Sequence, residues 1–545
     1  MPFLYSATRR SSVGRSTHPQ NMSSSIDTTT IPMGQPTSDQ HPKGLYLLFF
    51  TEMWERFSYY GMRAIFILFM TKALFMGNAE ASNIYGSFTG LVYLTPLLGG
   101  YISDRFWGNR KSILVGGIVM AIGQFLLFFS GGLVTEGAQS PGAISMMWAG
   151  LTMIIIGNGF FKPNISTMVG QLYPAGDRRI DGAFTIFYMG INLGALFAPL
   201  ICGGLGDTGS IFDFKYGFLA AGIGMVLSVI SFELLKNKYL VDANGEHIGM
   251  PRQKLDIKTI GVILGSVGLM FVLLNFKTWF KVDIDPIGYL IYGAMIVMPL
   301  VIFSDKSLVH EEKQRISVIF ILAFFVIFFW ACFEQAGASL TLFADQQTER
   351  HIGGWEMPAS YFQSVNPALI ILLAPLFSML WIALGKRGME PSSPLKMAIG
   401  LGLLAIGYVV IAFGVHGIDS GTKISMWWLI TLYGLHTMGE LCLSPIGLSM
   451  VSKLAPIRLS SLLMGTWFLA NAAANKFAGT LSALIPPTAG EGGETAEAII
   501  YPVFLGVQID TLYTFFMVFI ALSGGAAILL VVLHRWLQGR MHGVN

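Results

Sequence analysis

Charge is what this 545-residue chain has least of. Asp, Glu, Lys and Arg together make up 12% of it, against roughly 25% in a soluble domain. That shortage excludes an ordinary soluble protein, whose surface needs charge. The formal charge of +3 says little by itself, and no nucleic-acid partner is expected. Cysteine is also scarce. Cys202, Cys332 and Cys442 all fall inside apolar runs, so they read as packed thiols and not as a disulfide framework. Residues 1–40 have no apolar core and lack the h-region of a signal peptide; their Ser, Thr, Pro and Gln content predicts disorder. Nucleotide and metal motifs fail one by one. Gly400-Leu-Gly402-Leu-Leu-Ala405 fits GxGxxA but has no strand before it. His310-Glu311-Glu312-Lys313-Gln314 lacks the second histidine of a zinc protease, and Gly385-Lys386 lacks the rest of a phosphate loop. No metal, no organic cofactor and no catalytic residue is therefore expected, and any pumping must draw on a gradient.

What the chain does have is apolar length. Hydrophobic residues make up 53%, in runs of about 18 residues or more, each able to cross roughly 30 Å of hydrocarbon. Barrel strands would instead alternate over about 10 residues. The spans are placed at about 44–72, 82–103, 112–132, 143–173, 180–204, 216–236, 257–276, 286–304, 316–343, 360–385, 394–416, 424–452, 460–485 and 507–536. This predicts an all-α polytopic membrane protein of about fourteen helices, six then two then six. Four regions follow: a disordered segment 1–43, a six-helix bundle 44–238, a linker with an extra hairpin 239–310, and a second six-helix bundle 311–545. The middle pair has no charge in its interior and reads as a lipid-facing hairpin. Arg105, Arg110, Lys111, Arg178, Arg179, Lys236, Lys238, Arg252, Lys254, Lys386, Arg387, Lys453, Arg458, Arg535 and Arg540 fall in alternate connections, while 133–142 and 486–506 have no Lys or Arg. Positive connections face the cytoplasm, so both termini are expected on the cytoplasmic side.

The few charges inside the spans carry the functional signal. Glu52, Glu55, Arg56, Tyr59, Tyr60 and Arg63 fall at i, i+3, i+4, i+7, i+8 and i+11, which is one face of a helix. The stripe is about 16 Å long at 1.5 Å per residue. Each mid-membrane charge costs about 2.5–3.5 kcal/mol, so the stripe must face other helices or a water-filled cavity. Neighbouring carboxylates raise each other's proton affinity and Arg56 opposes that, so the cluster can hold and release a proton. The competing reading is a static ion-pair cluster. With the middle pair left uncounted, Arg63 lies on helix one, Glu334 on helix seven, Lys162 on helix four and Glu440 on helix ten. Each pair joins corresponding helices of the two bundles, one basic and one acidic, as two gates would. Pro163 and Asn164 predict a helix break after Lys162. Gly190 and Gly194 form a GxxxG packing face.

Several of these segments resemble one family. Gly100-x-x-x-Asp104-Arg105-x-x-Gly108-x-Arg110-Lys111 resembles, with slightly altered spacing, the loop signature of the major facilitator superfamily. Glu52-x-x-Glu55-Arg56-Phe57 followed by Tyr59-Tyr60-Gly61 resembles the helix-one motif of the proton-dependent oligopeptide transporters. GNGFFKPNIS and FYMGINLGALFAP resemble two further signatures of that family, and the extra hairpin fits its bacterial members. The resemblance implies the major facilitator fold and a proton-coupled importer of di- and tripeptides, acting as a monomer in the lipid bilayer, with the proton as coupling ion. It implies proton coupling by Glu52, Glu55, Arg56 and Lys162. Arg63 and Lys162 would hold the peptide carboxylate and Glu440 the amine, with Asn192 and Asn366 nearby. Tyr59, Tyr60, Tyr93, Tyr188, Trp330, Ser444 and Trp467 would line the side-chain pockets. Arg63–Glu334 would be the outer gate and Lys162–Glu440 the inner. The family also contains carriers of nitrate and other small anions, which is the alternative reading; it leaves Glu440 unexplained. The helix-two histidine of animal members has no counterpart here. His436, four residues before Glu440, is favoured as a bystander.

Overall fold

The computed structural model describes residues 40–174, 176–251, 257–282, 284–418, 421–487 and 501–543. The expected disordered segment lies outside them up to residue 39. The first bundle comprises α1 (Lys43–Leu68), α2 (Asn78–Leu94), α3 (Pro96–Ile102), α4 (Gly108–Gly132), α5 (Pro141–Gln171), α6 (Ile180–Ala198), a single turn α7 (Gly204–Gly206) and α8 (Phe214–Tyr239). The hairpin is α9 (Ile257–Phe280) and α10 (Pro286–Phe303). The second bundle comprises α11 (His310–Phe333), α12 (Ser339–Gln346), α13 (Val365–Lys386), α14 (Ser393–Val415), α15 (Met426–Leu454), α16 (Ser460–Ser482) and α17 (Leu512–Arg540). Among the described residues, six two-residue strands pair in the connections: β1 (Thr348–Glu349) runs parallel to β4 (Ile424–Ser425), while β2 (His351–Ile352) with β3 (Trp355–Glu356) and β5 (Val503–Phe504) with β6 (Val507–Gln508) are antiparallel. Among the described residues, nine stretches are long and apolar enough to cross a membrane. α1 is not one of them, since Glu52, Glu55, Arg56 and Arg63 dilute its apolarity.

Small residues decide which helices touch. A Cβ placed at Gly116 of α4 would sit 2.6 Å from the carbonyl oxygen of Gly157 on α5, and one at Gly123 2.8 Å from that of Gly150. Backbones approach this closely only where side chains are absent. Gly190 and Gly194 do the same for α6 on α1: a Cβ there would meet Phe49 at 2.9 Å and the Arg56 Cβ at 3.0 Å. The GxxxG pattern is thus a packing face, and it presses α6 against the charged stripe. All three cysteines are buried and free.

Two expectations need correction. No break occurs at Pro163; α5 runs uninterrupted from Pro141 to Gln171. Pro163 leaves the Gly159 carbonyl without its helical donor, and α3 packs directly on that carbonyl, where a Cβ at Gly99 would overlap the oxygen. The Asn164 amide donates to the Phe160 carbonyl at 2.6 Å and Thr167 Oγ1 to the Pro163 carbonyl at 2.8 Å on the following turn. Nor is the hairpin purely lipid-facing. Ile287, Gly288 and Ile291 of α10 are buried where it packs on α2 and α16, while Tyr289 and Ile296 on its other side are exposed.

Candidate functional site

The predicted stripe lies along α1. Glu52, Glu55 and Arg56 are buried, and Arg56 Nε lies 2.9 Å from Glu52 Oε1 and 2.5 Å from Glu55 Oε2. Asn158 of α5, wholly buried, donates to Glu55 Oε1 at 3.5 Å. Lys162 lies one turn further along α5, on the same face as Asn158. Its ammonium sits over the Tyr93 ring, 4.3 Å from the centroid, a cation–π contact. Two carboxylates and two cations balance. A proton added to either carboxylate leaves one cation without its counter-charge and able to hold an anion.

At the next turns of α1, Arg63 joins the bundles. Its Nη2 bonds Glu334 Oε2 at 2.5 Å and its Nε donates to Tyr85 Oη at 2.6 Å, with the Tyr60 ring 5.7 Å away. The predicted outer pair is therefore formed. Further contacts between the bundles accompany it. Lys72 bonds Asp345 at 2.6 Å, Ser82 Oγ meets Ser482 Oγ at 2.8 Å, Ser364 Oγ donates to the Leu196 carbonyl at 2.8 Å, and the Ser360 N–H donates to Asp207 Oδ2 at 3.2 Å. Burial raises the Asp207 carboxyl above its ordinary value, and Lys72 opposes the rise. The end of the molecule that carries the α1–α2 connection is closed.

The predicted inner pair is not formed. Lys162 is over Tyr93, and Glu440 Oε2 instead accepts from Asn366 Nδ2 at 2.9 Å. Asn366 Nδ2 also reaches Thr437 Oγ1 at 3.0 Å. Asn192 turns its amide to the Tyr188 carbonyl at 2.9 Å, and Tyr188 is 42% exposed. Trp330 meets Phe333 edge-on. Tyr59 and Trp467 are packed rather than open: Tyr59 stacks on Phe88, and Trp467 lies against Gly447. The Ser444 side chain falls outside the described residues. His436 is buried between Tyr408 and Phe333 and against Gly407 of α14.

Sequence reasoning missed Tyr85, Asn158, the Lys72–Asp345 pair and Lys476. Lys476 was detectable, because it is a lysine inside the apolar run 460–485 and such a charge demands a partner. Tyr85 and Asn158 were not, since an uncharged polar residue in a span is common and only the facing helix gives it a role.

Comparison with known proteins agrees with the geometry. The sequence model of the POT family (PTR2) matches residues 110–495. The chain is 38% identical over 445 residues to an uncharacterized transporter, YclF, of Bacillus subtilis (strain 168), covering 80% of this chain and 86% of that one. It is 35% identical over 474 residues to the peptide transporter YePEPT of Yersinia enterocolitica, covering 84% and 90%. Among solved structures, a peptide transporter POT in complex with sulfate superposes with a TM-score of 0.77 at 31% identity, over 92% of this chain and 96% of that one. A POT family transporter in complex with a thioalcohol-conjugated peptide gives 0.75 at 31% identity, over 91% and 97%. The paired carboxylates on α1, the lysine facing them from α5 and the arginine that joins the bundles sit on a chain that belongs to the POT family, the proton-dependent oligopeptide transporters.

Proposed function

We propose that this protein imports di- and tripeptides together with protons across the plasma membrane by alternating access. Both termini lie in the cytoplasm, so the closed end is the outer one. The observation that carries the reading is the placement of opposite charges on the two bundles: Arg56 and Lys162 on α1 and α5, and Glu440, held by Asn366, on α15. A peptide of any sequence has a carboxylate at one end and an ammonium at the other. Fixed poles of opposite sign recognise those ends, while the aromatic side chains assigned to the pocket would tolerate many peptide side chains. Glu52 and Glu55 hold the coupling proton; its arrival frees Lys162 or Arg56 for the peptide carboxylate. The proton is the coupling ion, no other cofactor takes part, and the monomer is the functional unit.

The test is uptake of a labelled dipeptide into proteoliposomes under an imposed proton gradient, competed by a free dipeptide, its C-terminal amide, its N-acetyl form and nitrate. Uptake driven by the gradient and competed only by the free dipeptide is expected. Competition by nitrate with none by the dipeptide would establish the anion-carrier alternative instead.

A further inference from the structure

The hairpin α9–α10 has no place in the mechanism so far, and Lys476 is a buried cation with no role in it. The two meet. Lys476 of α16 is 3% exposed at its side chain, and its ammonium makes two short contacts: 2.7 Å to Asp285 Oδ2 and 2.7 Å to Ser87 Oγ. Asp285 is the cap of α10, its other oxygen accepting from the Gly288 N–H at 3.0 Å. Ser87 is on α2, and its own hydroxyl donates to the Asn83 carbonyl at 2.8 Å, which leaves its oxygen lone pairs for the lysine. One ammonium thus ties together a helix of each bundle and the first turn of α10.

The packing around this lysine leaves no room for side chains at the neighbouring glycines. A Cβ at Gly86 of α2 would sit 2.6 Å from the Gly479 Cα of α16. One at Gly90 would sit 3.0 Å from the Ala472 carbonyl oxygen, 3.1 Å from Ile291 of α10 and 3.4 Å from the Lys476 Cβ. These residues border the closed end, where Ser82 and Ser482 also meet. Opening that end separates α2 from α16 and takes Ser87 away from Lys476. A buried ammonium loses a partner in that motion, and the loss opposes it.

We propose that Asp285, Lys476 and Ser87 form a further gate contact, through which α10 holds α2 against α16 and biases the carrier toward the state closed at this end. The hairpin is then a working part of the transport cycle and not a spacer. The inference rests on the alternating-access reading but not on the identity of the substrate.

The test uses the full chain in lipid nanodiscs, with spin labels at positions 80 and 484, at the outer ends of α2 and α16, and a measured distance distribution. Asp285→Asn removes the charge yet can still cap α10. Lys476→Met removes the cation and keeps the length. Each variant is expected to raise the ratio of separated to closed populations at least about fivefold, and Lys476→Arg is expected to retain the parent distribution. A distribution unchanged in Asp285→Asn, with or without a lower melting temperature, overturns the proposal and makes the contact a static tie. Because the readout needs no peptide, a shift in the distribution of a protein that proved to carry no peptide would sustain the gate contact and remove only the substrate assignment.

Discussion

Glu55 and Glu440 are both buried carboxylates, and their neighbours give them different work. Glu55 shares Arg56 with Glu52 and receives the Asn158 amide, so it belongs to a cluster whose charge balance one proton upsets. Glu440 has Asn366 as its hydrogen-bond partner and, among the described residues, no cation bonded to it, as the proposed amine-binding role requires. Glu55→Gln mimics the protonated form and removes no ligand from the peptide pocket. The variant should exchange internal for external peptide at near the parent rate yet fail to concentrate peptide under a proton gradient; loss of both activities would identify the cluster as purely structural. Glu440→Gln removes one charged hydrogen bond, worth about 1.5–3 kcal/mol. Dipeptide affinity should fall roughly ten- to a hundredfold while the protein still folds, and an unchanged inhibition constant would move the amine site elsewhere. The acidic and basic identities of these residues were legible, because charge inside an apolar run is costly and its presence demands a reason. Asn158 and Tyr85 were not legible, because only the facing helix shows what an uncharged polar group serves.

Among the elements, α2 and α16 join the two bundles through a contact that leaves no room for a side chain. Gly86 and Gly479 meet backbone to backbone, so any side chain there must push the two helices apart. Gly479→Val should cost about 1–3 kcal/mol by overpacking. It should also leave the α1–α2 end more accessible to a water-soluble thiol reagent at a cysteine placed nearby, and unaltered labelling would mean that the seam yields without opening. α5 carries a different lesson. Pro163 predicted a break by local rules, yet α3 packs on the Gly159 carbonyl that it leaves free and neighbouring helices pack along the length of α5. Within a packed bundle, tertiary contacts decide whether a proline ends a helix.

At the scale of the whole molecule, one conformation is present: closed where Arg63 meets Glu334 and Lys72 meets Asp345, with Lys162 and Glu440 apart. A carrier must leave this state to bind from the other side. Ser82 and Ser482 have their hydroxyls 2.8 Å apart, close enough for a disulfide once both are cysteine. Oxidising Ser82→Cys/Ser482→Cys should abolish uptake and a thiol reductant should restore it, whereas uptake that ignores the crosslink would show that these helices need not part. By itself the sequence determined the helical membrane class, the grouping into two bundles and a hairpin as an expectation, and the residues that carry charge into the apolar layer. Those follow from composition and period, since hydrocarbon tolerates neither exposed backbone nor unexplained charge. Only the tertiary structure decided which charges meet, that Arg63 is bonded to Glu334 while Lys162 lies over Tyr93 and not on Glu440, that α5 is continuous through Pro163, and that the hairpin reaches Lys476. These depend on distances between helices far apart in the chain, which are set by glycine contacts and by the conformational state, and neither is written in local periodicity.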